Sequence, residues 1–170
     1  MLCMFLVPVL LVVPGDCHES EHELEDRLKA AFLLNFAKFT NWPVSTDDQQ
    51  VFRFCVVTQE PYRKAFHGLE KKRIGGKPVE LVFPTIVRQE MCHLLFLSHS
   101  QSFHMEEILN HFSSFPALLI SDIEGFARAG GIIEFVQQND NLGFVINNSE
   151  AKEHGLQINS ALLSLAARVL

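Results

Sequence analysis

A chain of 170 residues, 48% hydrophobic and 20% charged, has the length of one domain and enough apolar area, fifteen phenylalanines included, to bury a core. That balance excludes an intrinsically disordered chain. Fourteen basic and twenty acidic residues give a formal net charge of −6, the wrong sign for a protein that holds nucleic acid by displacing its counterions.

Residues 2–14 carry no charge and are dominated by Leu and Val. The stretch is shorter than the roughly 20 apolar residues needed to span a bilayer. It fits the apolar part of a secretory signal, with Val13 and Gly15 as the small residues before a cut after Gly15. No Lys or Arg precedes it, and a buried N-terminal strand or helix is the competing reading. Cys17 would suit a lipoprotein, but Asp16 stands where a lipobox needs a small residue. The expected organisation is a signal peptide over 1–15, an acidic tail over 16–25 and a single domain over 26–170. The mature chain then has no direct membrane insertion.

Residues 23–42 predict the strongest helix, with Leu24, Leu28, Phe32, Phe36 and Phe39 among so many apolar positions that most sides should be covered. Pro43 should stop it. Residues 51–57 predict a strand and 62–69 a helix. The basic cluster Arg63-Lys64 and Lys71-Lys72-Arg73 leads into a turn at Gly75-Gly76. It reads as a solvated loop, or else as a docking patch for an acidic partner or a lipid headgroup. Strands follow over 78–83 and 92–97, a helix over 103–112 and a short strand over 117–120. Ser121 or Asp122 can cap a helical stretch reaching Ala129. Gly130-Gly131 breaks that stretch, and strands over 132–136 and 142–147 form a hairpin around Asn139-Asp140-Asn141. A helical turn over 149–154 ends at Gly155, and a last helix covers 160–170. Strands alternating with helices predict an α/β fold with layers, a largely parallel sheet, flanking helices and a C-terminal antiparallel hairpin.

No apparatus for catalysis is visible. The paired glycines lie in neither a dinucleotide nor a phosphate-loop frame, and no nucleophile elbow exists. Eight histidines are scattered without metal-ligand spacing. Glu134 inside an apolar strand reads as the solvent-facing side of an alternating pattern. We therefore expect no enzyme, no cofactor and no metal site.

Of the four cysteines, Cys3 would leave with the signal, and no CxxC pair occurs. Cys55 and Cys92 each lie in a strand-like run. If those strands are neighbours in an oxidising compartment, the two sulfurs can bond. If not, they are two inert buried thiols. The residues alone leave both readings open.

Three segments together resemble the YfiR family of periplasmic regulators. They are Leu28-Lys29-Ala30-Ala31-Phe32-Leu33-Leu34-Asn35-Phe36-Ala37-Lys38-Phe39-Thr40-Asn41-Trp42-Pro43, then Cys92-His93-Leu94-Leu95-Phe96-Leu97, then the run from Gly130-Gly131 through Phe144-Val145-Ile146-Asn147 to Leu162-Leu163-Ser164-Leu165-Ala166. The resemblance implies a compact α/β domain in the periplasm. It would repress an inner-membrane diguanylate cyclase through the cyclase's periplasmic sensor region and hold down cyclic di-GMP and biofilm growth. It also implies redox sensitivity through disulfides, and Cys55 and Cys92 match a strand-borne pair of that pattern. A homodimer is compatible with it. Trp42, before Pro43, is either a packing anchor at the helix end or an aromatic contact to the partner. The chain departs from the family in lacking a second cysteine pair in its C-terminal third and in having Gly143 where members often carry a basic residue. The alternative from the residues is a periplasmic small-ligand-binding or sensing domain without a cyclase partner, using a crevice at the strand ends.

Overall fold

The computed structural model describes residues 21–43, 49–60, 62–85, 91–139 and 141–170. The signal peptide expected over 1–15, and residues 16–20 of the acidic tail, lie outside the described residues.

The first helix, α1, runs Glu21–Lys38 and so takes in the last five residues assigned above to the tail. It buries one stripe: Lys29, Ala30, Leu33, Phe36 and Ala37 are enclosed, whereas Leu24, Leu28 and Phe39 remain exposed. The expected coverage on most sides is therefore a single face at helical spacing. The helix also ends four residues before Trp42. The Thr40 hydroxyl donates to the Phe36 carbonyl at 2.8 Å, and Thr40–Asn41 leaves the helix as strand β1. β1 pairs antiparallel with β9 (Gln157–Ile158), joining the two ends of the described chain.

Strands β2 (Phe52–Val57), β3 (Arg73–Ile74), β4 (Lys77–Val82), β5 (Leu94–Leu97), β6 (Leu118–Ser121), β7 (Ile133–Gln138), β8 (Asn141–Ile146) and β10 (Arg168–Val169) form one eight-stranded sheet. Its order is β10-β8-β7-β6-β5-β2-β4-β3. The five strands from β4 to β7 are parallel. β5 and β6 are buried along their whole length, which is why they read as unbroken apolar runs and not as alternating ones. β7 and β8 form the expected antiparallel hairpin around Asn139, the one non-glycine residue at positive φ (46°) among the described residues. The expected fold class holds.

The hairpin is not the edge of the sheet, however, because β10 pairs in parallel beside β8. The last helix expected over 160–170 is only α4, Ser160–Leu163. The edge of β8 offers unpaired carbonyls, and the chain takes them: Ala167 N–H donates to Phe144 O and Leu170 N–H to Ile146 O, both at 2.8 Å. Unpaired strand groups outweigh the modest preference of an apolar spacing for helix. Two other expected helices are 3-10 turns, over Tyr62–Phe66 with Leu69–Lys71, and over Phe126–Arg128. The helix expected over 103–112 begins with a 3-10 stretch, His99–His104, and continues as α2, Met105–Phe112. The expected turn before Gly155 is α3, Asn148–Glu153, and its cap is the Asn147 side chain accepting from Glu150 N–H at 3.0 Å.

The core is aromatic. Phe36 of α1 sits 4.9 Å from Phe144 and 5.7 Å from Phe135, and Phe32 touches both rings. Phe96 continues the cluster from β5 to Phe135 and Phe66. Edge-to-face and tilted contacts of this kind add about 0.5–1.5 kcal/mol each beyond area burial.

Candidate functional site

The amino-terminal ends of β2 and β5 bring together the residues that the sequence singled out. Cys55 of β2 and Cys92, just before β5, form a disulfide with Cα atoms 5.9 Å apart. The neighbouring strands were the condition for that bond, and they are paired in parallel with Cys55 opposite Leu95. Cys55 is fully enclosed and Cys92 nearly so.

The residue next to Cys92 is the hub of the site. His93 is buried and stacks on Phe52, with ring centroids 4.9 Å apart. Its Nδ1 accepts the Arg53 backbone N–H at 2.9 Å, so in the neutral ring the proton resides on Nε2. Its carbonyl accepts from Leu118 N–H at 2.8 Å and from the Trp42 indole at 3.3 Å. Burial first, and then the positive charges of Lys77 and Arg53, push the His93 imidazole down to about 4, so it is neutral at ordinary pH. Nε2 is buried without a hydrogen-bond partner among the described residues. Sequence reading passed over His93; the signal was a polar residue inside the apolar run after Cys92.

Trp42 is half-buried. It meets Phe52 edge-on at 5.1 Å while its N–H holds the His93 carbonyl. Beyond it lies a cavity of about 320 Å3 bounded by Trp42, Phe52, His93 and Ile74, with Lys38 and Lys77 also on its wall. The indole, four residues beyond the end of α1, thus packs against Phe52 and the His93 carbonyl, and it also lines that cavity.

A second group of polar residues lies at the carboxyl ends of the strands. The chain passes from β2 to β4 on one side and then to β5 on the other, and such a reversal opens the crevice where α/β sheets hold ligands. Here a cavity of about 250 Å3 is lined by Lys29, Glu25, Asp122, Tyr62 and the Ser98–Ser100 turn. Lys29 Nζ lies 2.7 Å from Asp122 and 2.8 Å from Glu25. Burial alone would lower the Lys29 ammonium, but Asp122 and Glu25 outweigh it and its affinity for the proton is raised. Asp122 also accepts the His99 N–H. The charges in this crevice satisfy one another and strap α1 to the loop after β6.

Glu134 corrects an expectation. It is buried, not solvent-facing, and its carboxylate accepts Gly125 N–H and Ala127 N–H, each at 3.0 Å. The cap expected from Ser121 or Asp122 is supplied across space by β7. Ser121 instead donates to Leu97 O and accepts Ile123 N–H. No group of three His, Cys, Asp or Glu among the described residues is arranged to hold a metal, and no described helix is long and apolar enough to cross a membrane.

A family described as YfiR/HmsC-like matches residues 26–167. No curated protein matches the chain. Among solved structures, the ABC domain in complex with L-Trp from Streptococcus pneumonia is similar at a TM-score of 0.59 and 13% identity. That likeness covers 83% of this chain and 62% of the other, so this chain spans less than two thirds of its neighbour, and what they share is an α/β fold.

Proposed function

The chain belongs to the YfiR/HmsC-like family, and from that premise we propose that it is a periplasmic regulatory protein repressing an inner-membrane diguanylate cyclase through the cyclase's periplasmic sensor region, so lowering cyclic di-GMP. The family match over 26–167 is the observation that carries this reading. The Cys55–Cys92 disulfide supports it, since such bonds persist in oxidising compartments and not in the cytosol. The same bond gives the regulator its redox sensitivity, because it fixes the segment that presents His93 to Trp42. To repress, the protein must bind one state of the cyclase more tightly than the other. Its role is to bind and not to turn over a substrate, and Trp42 is our candidate for contact with the partner.

Calorimetry between the mature chain and the folded periplasmic domain of the diguanylate cyclase encoded nearest its gene tests the proposal. Saturable binding that weakens with reductant is expected. No detectable heat with both proteins folded would overturn it.

A further inference from the structure

The two ends of the Cys55–Cys92 disulfide are not equivalent. Cys55 lies inside the sheet, in β2, with Val82 of β4 opposite it on one side and Leu95 of β5 on the other. It is 0% exposed, and its neighbours Phe54, Val56 and Leu95 are buried with it. Cys92 stands before β5, where the strand has not yet begun, and is 8% exposed.

A cavity of about 210 Å3 lies at this end of the bond. Cys92, His93 and Phe112, all buried, form part of its lining, and Met91, Phe115 and Pro116 line it as well. Met91 is 53% exposed, and Phe115 and Pro116 are partly exposed. An exposed rim above a buried floor is a passage from solvent to Cys92. Cys55 is not among the residues that line it. Thiol–disulfide exchange begins when a thiolate reaches one of the two sulfurs, so access decides which of them is attacked.

We infer that a low-molecular-weight thiol reduces this bond through the cavity while the domain stays folded, with Cys92 as the sulfur attacked and Cys55 as the sulfur that leaves. The thiolate of the small thiol forms a bond to Cys92 Sγ. The Cys55–Cys92 bond breaks, and its electron pair departs on Cys55, which takes a proton from water. A second molecule of the thiol then attacks the external sulfur. Cys92 leaves as a thiolate, and the two small molecules depart joined by their own disulfide, having supplied the two electrons. The inference rests on the redox-sensitive reading above, and adds to it the route, the sulfur attacked and the class of reductant. The attacked end is also the one next to His93, whose carbonyl holds the Trp42 indole.

The test uses the full chain with Cys3 and Cys17 replaced by Ser, so that only the bonded pair reports. Its reduction by 2-mercaptoethanol at rising concentrations is followed by acid quench and intact mass, and its unfolding rate is measured separately by denaturant jumps. The expected rate of reduction is proportional to thiol concentration and exceeds the rate of unfolding. A rate that levels off at the unfolding rate would overturn the inference, because the bond would then be reached only by opening the fold. In the same background, Cys55→Ala leaves Cys92 as the single thiol and Cys92→Ala leaves Cys55. With folding verified by thermal melts, iodoacetamide should label Cys92 roughly tenfold faster than Cys55 or more, since reaction follows exposure. Equal rates, or faster labelling of Cys55, would overturn the choice of sulfur. If either variant does not fold, the concentration dependence in the bonded protein decides alone. Neither readout involves the cyclase, so cyclase binding that ignores reductant would remove the redox reading without altering these rates.

Discussion

At Glu134 two oxygens of one buried carboxylate accept two backbone amides, those of Gly125 and Ala127. Replacing it by Ala leaves both donors enclosed without acceptors, a loss of about 1–3 kcal/mol for each group stranded. We expect Glu134→Ala to lower the unfolding free energy by roughly 2–5 kcal/mol in urea titrations, and Glu134→Gln by less, since the amide keeps one acceptor oxygen. A wild-type midpoint in the Ala variant would show that the two bonds contribute nothing net. His93 couples folding to protons. Its folded-state affinity is depressed to about 4 from an ordinary 6.5 by burial, Lys77 and Arg53. Between those values the unfolded chain binds more protons than the folded one, so stability rises with pH across that window and is lost as pH falls through it. Melting midpoints from pH 7 to pH 4 should fall more steeply for the wild type than for His93→Gln; parallel slopes would remove His93 as the cause. Gly131 belongs to this scale too. A Cβ there would stand 2.1 Å from the ring of fully buried Phe126, and Gly131→Ala should cost about 1–3 kcal/mol by displacing that ring.

Between elements, the disulfide ties β2 to the segment entering β5 across 37 residues. Loop-closure entropy for that length corresponds to roughly 4 kcal/mol of stability lost on reduction. Denaturant titrations with and without reductant should show that difference, and Cys55→Ser/Cys92→Ser should be insensitive to reductant. Asn147 links two elements, capping α3 through Glu150 N–H while its amide donates to Ala127 O at 2.8 Å. Asn147→Ala should cost about 1–2 kcal/mol by chemical denaturation, the upper part of the range for a lost cap. The same elements show how far the sequence could be read. Leu94–Leu97, Leu118–Ser121 and, after Arg53, residues 54–57 of β2 were legible as strands because burial on both faces makes their apolar runs continuous. Arg168–Val169 was not, because it is a strand only by virtue of the open edge of β8, and no local pattern records a neighbour's unpaired carbonyls. Trp42, Cys55 and Cys92 were legible by residue type. His93 and Glu134 were not, since what makes them matter, a carbonyl shared with an indole and a carboxylate serving a turn nine residues back, is contact across space.

At the scale of the molecule, the two ends of the chain hold each other. α1 depends on residues made long after it: Phe32 and Phe36 find their rings at Phe135 and Phe144, Lys29 its counterion at Asp122, and Thr40 its strand partner at Ile158. Contacts so distant along the chain make closure slow, because the entropy of joining far ends must be met before any of them forms. A fragment ending at residue 132 lacks Phe135, Phe144 and β9, and by circular dichroism it should show no cooperative melt while the full chain does. A sharp melt in the fragment would mean that α1 docks without them. For a chain that we infer is exported, the consequence concerns timing: as long as the last forty residues are still being synthesised, α1 lacks the rings of Phe135 and Phe144 and the strand β9 that complete its seat, and the polypeptide stays loose enough to be threaded through a translocation pore before it can lock.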